Sequence, residues 1–230
     1  MSTMTPRPSP VPIPPLKDGE VLTRDEFERR YDAMPDLKKA ELIEGVVYVA
    51  SSVSLIEHGS PHTDLSCWLG SYRASTTGVI AGDNSSVRLD LGNEPQPDLL
   101  MMIHPDRGGQ ARLVKGGFAD GAPELVAEIA ASSAGLERGK KRLVYERHGV
   151  REYLIWRVRD AAFDWFILRD GRFEDLAPNA DGTLRNEVFP GVWMDPEALL
   201  RGDLAGVLAV LQRGIASPEH AAFLERLGRA

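Results

Sequence analysis

Apolar residues recur every three or four positions in two N-terminal segments, and this period predicts helices there. Thr23 precedes the first segment and Glu26 follows three residues later, which is the pattern of a capping box that opens a short helix through about Tyr31. The second segment, residues 62–73, should bury the face formed by Leu65, Trp68, Leu69 and Tyr72. The helical period returns after residue 196, so we expect C-terminal helices as well.

Continuous apolar runs and alternating runs predict the strands. They cover residues 42–49, 78–81, 86–91, 99–103, 125–130, 152–156, 162–168 and 172–176. The last two flank Asp170 and Gly171, a dipeptide typical of a tight hairpin turn. Residues 104–122 are polar and rich in glycine, and we interpret them as a long surface loop able to move over a site.

The order of these elements predicts an α/β fold in which helices flank one mixed central sheet. An N-terminal helix and hairpin come first, then strands around one long helix. We assign residues 1–16 to a disordered tail, because six of the first fifteen residues are prolines. Residues 17–195 form the predicted domain, and residues 196–230 form a C-terminal helical extension that would cap the sheet or mediate dimer contact.

Composition narrows the class of protein. A chain of 230 residues with 43% hydrophobic and 27% charged residues is typical of a globular domain. The single cysteine, Cys67, excludes an internal disulfide and a cysteine-based zinc cluster. No apolar stretch approaches the roughly 20 residues that cross a bilayer, and the start lacks signal-peptide regions, so we expect a cytoplasmic protein without membrane contact. No Walker loop, dinucleotide fingerprint or nucleophile elbow occurs.

Two carboxylates stand within apolar segments. Asp98 follows Pro97 and heads the run of residues 99–103, and Glu128 lies inside the run of residues 125–130. A buried carboxylate costs several kcal/mol unless a cation or a hydrogen-bond donor satisfies it. Two such groups therefore suggest one shared cation.

A basic helix is predicted after the second run. The net charge of the chain is −7, which disfavours nonspecific binding to nucleic acid. Residues 138–151, however, contain six Lys or Arg against Glu146 alone, and such a strip could guide a phosphate backbone. Two carboxylates and a lysine are the groups that metal-assisted phosphodiester hydrolysis requires.

Several short motifs along the chain occur together in a known order. They are residues 41–45 (Glu-Leu-Ile-Glu-Gly), Pro97-Asp98-Leu99, residues 123–129 (Pro-Glu-Leu-Val-Ala-Glu-Ile), Ser132-Ser133, Lys141 four residues before Tyr145, and residues 149–153 (Gly-Val-Arg-Glu-Tyr). Through these motifs the chain resembles the Uma-two family of nucleases, which belongs to the PD-(D/E)XK, or restriction-endonuclease-like, superfamily. The resemblance spans about residues 22–194.

The resemblance implies a restriction-endonuclease-like sheet and a site for Mg²⁺, for which Mn²⁺ would substitute. Asp98 and Glu128 match the metal-binding aspartate and glutamate, and the backbone carbonyl of Ile129 would complete the protein ligands. Glu41 matches the acidic residue that the superfamily supplies from its N-terminal region. Such a site is rich in oxygen and water, as a small, hard cation prefers.

The catalytic lysine departs from the superfamily pattern. Ala130 stands two residues beyond Glu128, where the lysine is usual, and the family compensates with a helix lysine that Lys141 matches. At about 100° per residue, however, Lys140 lies on the apolar stripe of the helix, so geometry alone leaves the two lysines nearly equal. Glu137 stands where the family usually has an aspartate.

Each candidate has a structural alternative. Asp98 is also suited to cap turn amides, and Glu128 to a structural ion pair with one of the two lysines. His58 and His62 are four residues apart, but the intervening glycine and proline break the helix and no third ligand is near in sequence, which disfavours zinc. We expect His62 to open the helix and to approach the site.

We therefore predict a Mg²⁺-dependent endonuclease whose substrate is nucleic acid, with DNA expected and RNA as the alternative. Asp98 and Glu128 would hold the ion, Glu41 would orient a second ion or the attacking water, and Lys141 would stabilise charge on the phosphate. The competing hypothesis is a catalytically inactive nuclease fold that serves as a binding or dimerisation module, which the acidic charge and the displaced lysine favour. A homodimer is consistent with either.

Overall fold

A six-stranded sheet forms the centre of the fold in a computed structural model that describes residues 12–131 and 133–229. The helices are α1 (Arg24–Asp32), α2 (Ser60–Ala74), α3 (Ala134–Leu136), α4 (Arg142–His148), α5 (Pro196–Leu200), α6 (Leu204–Ile215) and α7 (Pro218–Arg229). The strands are β1 (Ala40–Ile43), β2 (Val46–Val49), β3 (Val79–Asp83), β4 (Val87–Arg88), β5 (Leu99–Ile103), β6 (Arg112–Leu113), β7 (Ala119–Asp120), β8 (Leu125–Ala130), β9 (Glu152–Arg157), β10 (Ala162–Arg169), β11 (Arg172–Asp175), β12 (Leu184–Arg185) and β13 (Trp193–Met194).

The central sheet has the strand order β11-β10-β9-β8-β5-β3. Strands β8 and β9 pair in parallel, and the other neighbours pair antiparallel. The parallel pair needs a crossover, which α3, a π-helical turn over Glu137–Lys141 and α4 supply. The predicted mixed sheet flanked by helices is confirmed, as is the hairpin around Asp170 and Gly171.

The main hydrophobic core lies between one face of the sheet, α2 and the C-terminal helices. The four residues predicted for the buried face of α2 all belong to it. Trp68 Nε1 donates to the carbonyl of Trp193 at 3.0 Å, and the Tyr72 hydroxyl donates to that of Pro190 at 3.0 Å, which satisfies both polar tips. The C-terminal helices cover this core with the buried side chains Ala198, Leu199, Val207, Leu211, Phe223 and Leu227.

The N-terminal hairpin of the predicted fold is present, but the single strand predicted over residues 42–49 is wrong. The chain turns back at Glu44 and Gly45, so that β1 and β2 form an antiparallel hairpin with Ile43 opposite Val46. Both turn residues have positive φ, 52° and 77°, as the two-residue turn of a hairpin requires. The apolar residues on both sides gave a continuous strand pattern, and Glu-Gly is a weaker turn signal than Asn-Gly.

The long loop predicted over residues 104–122 contains structure of its own. A 3₁₀ turn covers Pro105–Arg107, and β6 and β7 join β4 in a three-stranded sheet. Ala111 and Ala119 are buried against Leu100 and Met102. Strands of two residues are too short to show a period, which explains why the pattern missed them.

The disordered tail predicted over residues 1–16 lies mainly outside the described residues. Of residues 12–16, which are described, Leu16 is buried against the N-terminal hairpin. Across the described ranges, no helix combines the length and the apolar character needed to span a bilayer.

Candidate active site

Asp98 and Glu128 lie side by side at the centre of the sheet. The antiparallel register places Leu99 opposite Ala127, so Asp98 and Glu128 are the next opposed pair and face the same side of the sheet. The Asp98 N–H lies 3.4 Å from Glu128 Oε2, and the Ile129 N–H donates to Asp98 Oδ2 at 2.8 Å. Asp98 thus accepts from the neighbouring strand rather than from its own turn.

Glu41 joins this pair from the N-terminal hairpin. It is buried on β1, and its Oε1 accepts a hydrogen bond from the Gln96 N–H at 2.7 Å. The same oxygen accepts from Lys141 Nζ at 2.8 Å. Two donors on one oxygen hold this carboxylate in a fixed direction toward the other two.

Lys141, and not Lys140, lies against the carboxylates. The Lys141 side chain is 1% exposed, and its Nζ lies 2.5 Å from Glu128 Oε1 and 4.0 Å from Glu137 Oε1. The Lys140 side chain instead points outward to the Tyr48 hydroxyl at 3.2 Å. The ion pair of Glu128 with a lysine, one of the structural alternatives, is therefore present.

The π-helical turn explains why an angle of about 100° per residue placed Lys140, rather than Lys141, on the buried face of the helix. A turn with i to i+5 hydrogen bonds is wider than an α-helical turn, so 100° per residue does not hold across Glu137–Lys141. Glu137, Lys141 and Tyr145, spaced four residues apart, share the buried face. The Tyr145 hydroxyl donates to Glu128 Oε1 at 3.1 Å.

Two further side chains contact Asp98 that the sequence patterns did not assign to the site. Lys39 Nζ lies 2.8 Å from Asp98 Oδ1, and His58 Nε2 lies 3.3 Å from Oδ2. His62 Nε2 lies 3.2 Å from the Asp98 carbonyl and 3.0 Å from Asp83 Oδ1, so His62 approaches the site as expected, but α2 begins at Ser60, two residues before His62.

The charge of Asp98 is strongly stabilised. Burial by itself would raise the pKa of this carboxyl, but the hydrogen bond from His58 and the nearby Lys39 ammonium outweigh it. The pKa of Asp98 is therefore held well below its usual range, and the group is ionised at neutral pH.

Glu128 and Lys141 respond to burial differently. Burial raises the pKa of Glu128 to about 8; the Lys141 ammonium opposes this shift, while Asp98 and Glu41 add to it. Burial would lower the pKa of Lys141, but the charges of Glu128, Glu41 and Glu137 raise it well above its usual value. Lys141 is thus a protonated ammonium group. The raised pKa of Glu128 reflects the unfavourable burial of several negative charges close together.

The donor set fits a small, hard cation. All the site carboxylates and both lysines face one region: Glu41, Asp98, Glu128 and Glu137 with Lys39 and Lys141. When these groups are all ionised the carboxylates outnumber the ammoniums, and a divalent cation would balance the excess. Within residues 12–131 and 133–229, no three His, Cys, Asp or Glu side chains are arranged so that they could hold a metal ion together. Mg²⁺ commonly uses only one or two carboxylates and keeps its waters, so the lack of a third such ligand is compatible with a Mg²⁺ site.

Solvent approaches the site from the side of Asp98. Asp98 and Glu128 are themselves 2% and 1% exposed, whereas the side chains of Lys39 and His58 are 22% and 20% exposed. A surface depression lined by residues that include Arg138, Arg142 and Phe173 shares no residue with this site.

Comparison with known proteins supports the resemblance drawn from the motifs. Residues 24–197 match the model of the Uma2 family, described as "Putative restriction endonuclease". The fold is similar to that of a crystal structure described as "a putative nuclease belonging to DUF820" from Anabaena variabilis ATCC 29413, with 15% identity and a TM-score of 0.52, over 70% of this chain and 90% of that chain. At this identity the similarity shows the fold alone. No match occurs among curated proteins.

Proposed function

The chain belongs to the Uma2 family, and from this premise we propose that it is a Mg²⁺-dependent endonuclease that hydrolyses phosphodiester bonds of DNA. The observation that carries the proposal is the buried Lys141, whose Nζ contacts Glu41 and Glu128. Glu128 lies on β8, the strand that pairs with β5, and Asp98 directly precedes β5. A buried ammonium among several carboxylates is expensive to maintain, and perturbed groups of this kind are concentrated at functional sites.

Asp98 and Glu128 would hold the ion, together with the backbone carbonyl of Ile129. The low pKa of Asp98 keeps one ligand ionised at neutral pH without help from the metal. When bound, Mg²⁺ would supply a nucleophile by lowering the pKa of a water molecule and would offset charge on the phosphate.

Glu41 and Lys141 would act on the reacting groups. Glu41, fixed by Gln96 and Lys141, would orient the attacking water or a second ion. Lys141 stays protonated, so it would stabilise the negative charge that develops on the phosphate oxygens. It holds no removable proton near neutral pH and therefore serves as a fixed charge rather than as a base.

Cleavage assays test this proposal. Supercoiled plasmid, single-stranded DNA and RNA are incubated with the purified chain and Mg²⁺ or Mn²⁺, and with EDTA as the metal-free comparison. We expect nicking that falls by about 100-fold or more in an Asp98→Ala, Glu128→Ala double variant. Glu174→Ala, which removes a carboxylate with a 61% exposed side chain, is the matched control. Equal nicking by wild type and the double variant would refute the proposal.

A second candidate is a catalytically inactive member of the fold that acts as a binding or dimerisation module. The observation in its favour is that Lys39 and Lys141 already compensate Asp98 and Glu128. Calorimetric titration separates the two functions, because an inactive module needs no metal site. Absence of Mg²⁺ and Mn²⁺ binding at millimolar concentration favours the module.

A further inference from the structure

Three exposed apolar side chains follow one another closely just before α2. Val53, Leu55 and Ile56 are 66%, 75% and 73% exposed. We call these three residues the apolar turn. Single exposed apolar residues are common on proteins, but a contiguous group exposed to this degree is typical of a contact surface.

The backbone that carries the apolar turn is held in a defined conformation. The Ser54 hydroxyl accepts from the Glu57 N–H at 3.2 Å, and the Ser54 carbonyl accepts from the His58 N–H at 3.1 Å. Glu57 also pairs with Arg159 Nη2 at 2.7 Å, which ties the segment to the turn between β9 and β10. The exposed side chains are therefore presented outward by a fixed segment.

The apolar turn is continuous with the candidate active site. His58, two residues after Ile56, lies in the same π-helical turn over Leu55–Gly59 and contacts Asp98 Oδ2 at 3.3 Å. His58 and Lys39 are the partly exposed contacts of Asp98. Leu55 and Ile56 are therefore carried by the same short turn as a partly exposed contact of Asp98.

The chemistry of a polynucleotide limits what the apolar turn can contact. Aliphatic side chains form no hydrogen bonds with phosphates or with base edges, but Leu and Ile side chains can insert against the faces of unstacked bases. Base faces are hidden in a stacked duplex and accessible in single strands, flaps and gaps. A chain with a net charge of −7 also gains little from phosphate attraction, which increases the weight of base contacts.

We propose that Val53, Leu55 and Ile56 contact base faces and select nucleic acid with unstacked bases beside the scissile phosphodiester. This inference rests on the proposed nuclease function and names the substrate class of the same site. It also predicts that binding depends only weakly on salt, because apolar contact releases no counterions.

Binding measured without cleavage tests the inference. Fluorescence anisotropy in EDTA follows a labelled oligothymidylate of about 20 nucleotides, an abasic strand of the same length and a matched duplex. The variants are Leu55→Ser with Ile56→Ser, and Leu91→Ser as the control, because Leu91 is 70% exposed in a turn beside α1. Comparing variants in the same buffer cancels the contribution of the metal-free carboxylates.

We expect the double variant to bind oligothymidylate about tenfold more weakly than wild type, and Leu91→Ser to bind it normally. Wild type should also prefer oligothymidylate to the abasic strand and to the duplex. The inference would be overturned if wild type and the double variant bound oligothymidylate with equal affinity. It would also be overturned if wild type bound the abasic strand as tightly as it binds oligothymidylate. A third contrary result would be that wild type is a dimer and the double variant a monomer in sedimentation velocity, while both bind oligothymidylate equally well.

The outcome is separable from that of the cleavage assays. A chain that binds through the apolar turn but cleaves nothing keeps this inference and loses the nuclease proposal. If cleavage depends on Asp98 and Glu128 but the Leu55→Ser, Ile56→Ser variant binds oligothymidylate as tightly as wild type, the nuclease proposal stands and this inference is refuted.

Discussion

Lys141 sets the charge balance of the candidate site. Its side chain is 1% exposed and its ammonium contacts Glu41 and Glu128, so it neutralises part of a buried negative cluster. Removing one partner of a buried ion pair leaves the other charge uncompensated, which costs more than the pair itself contributes. The site and the stability of the fold therefore depend on the same side chain.

We expect Lys141→Met to lower the free energy of unfolding by about 3–5 kcal/mol at neutral pH, as measured by urea denaturation. Lys140→Met, one residue away and directed at the Tyr48 hydroxyl, should change it by less than about 0.5 kcal/mol. Adding Glu128→Gln to Lys141→Met should restore part of the loss, because it replaces a buried carboxyl group that the Lys141 ammonium no longer stabilises. Equal effects of the two lysine substitutions would contradict this account.

The sequence indicated some contacts of the site better than others. Asp98 and Glu128 could be singled out because Asp98 directly precedes an apolar run and Glu128 lies inside one, and the family motifs added Glu41 and Lys141. The contacts of Lys39 and His58 with Asp98 were not visible, since a surface-like lysine and a histidine in an irregular segment show no periodicity. Lys39 and Asp98 are 59 residues apart, and only the folded sheet brings them together.

At the scale of elements, the number of residues in each helix, strand or turn decided whether the hydrophobic pattern could reveal it. Helix α2 and strands β5, β8, β9 and β10 span enough residues to display a period, and all were predicted. The strands β6 and β7 have two residues each, and the turn between β1 and β2 has two as well. The π-helical turn within the basic helix adds width without any signal in residue type, so the choice between the two lysines needed the structure.

The end of α4 provides an element-level prediction. Gly149 ends the helix with φ of 83°, and its N–H bonds to the carbonyls of Glu146 and Tyr145. Gly149→Ala should lower stability by about 1 kcal/mol, because side chains other than glycine's are disfavoured in this left-handed conformation.

Gly70→Ala is the matched control and should act in the opposite direction. Gly70 lies in the interior of α2, is exposed, and a Cβ there meets no atom within 4 Å. We expect a gain of about 0.5–1 kcal/mol from the lower entropy of the unfolded chain. Thermal unfolding of both variants measures the difference, and shifts of the same sign would show that backbone conformation is not the cause.

At the scale of the whole molecule, the candidate site draws on most of the fold. Glu41 comes from the N-terminal hairpin, Asp98 and Glu128 from the sheet centre, and Lys141 from the crossover helix. The sequence predicted the order of these elements, and so the fold class, because each apolar segment had an evident partner. It could not show that the C-terminal helices share the main core with α2, since helix packing depends on shape rather than period.

That shared core predicts the result of removing the C-terminal helices. Their side chains Leu199, Val207, Leu211, Phe223 and Leu227 are at most 3% exposed. At about 1.5–3 kcal/mol for each buried side chain, their loss matches the typical total stability of about 5–15 kcal/mol. We therefore expect a chain ending at residue 195 to lose cooperative urea unfolding and its near-ultraviolet circular dichroism signal. Leu227→Ala in the 230-residue chain should still unfold in two states, with a free energy of unfolding lower by about 2–5 kcal/mol. If the shortened chain unfolds cooperatively near the full-length midpoint, residues 17–195 fold alone and the helices are an independent extension.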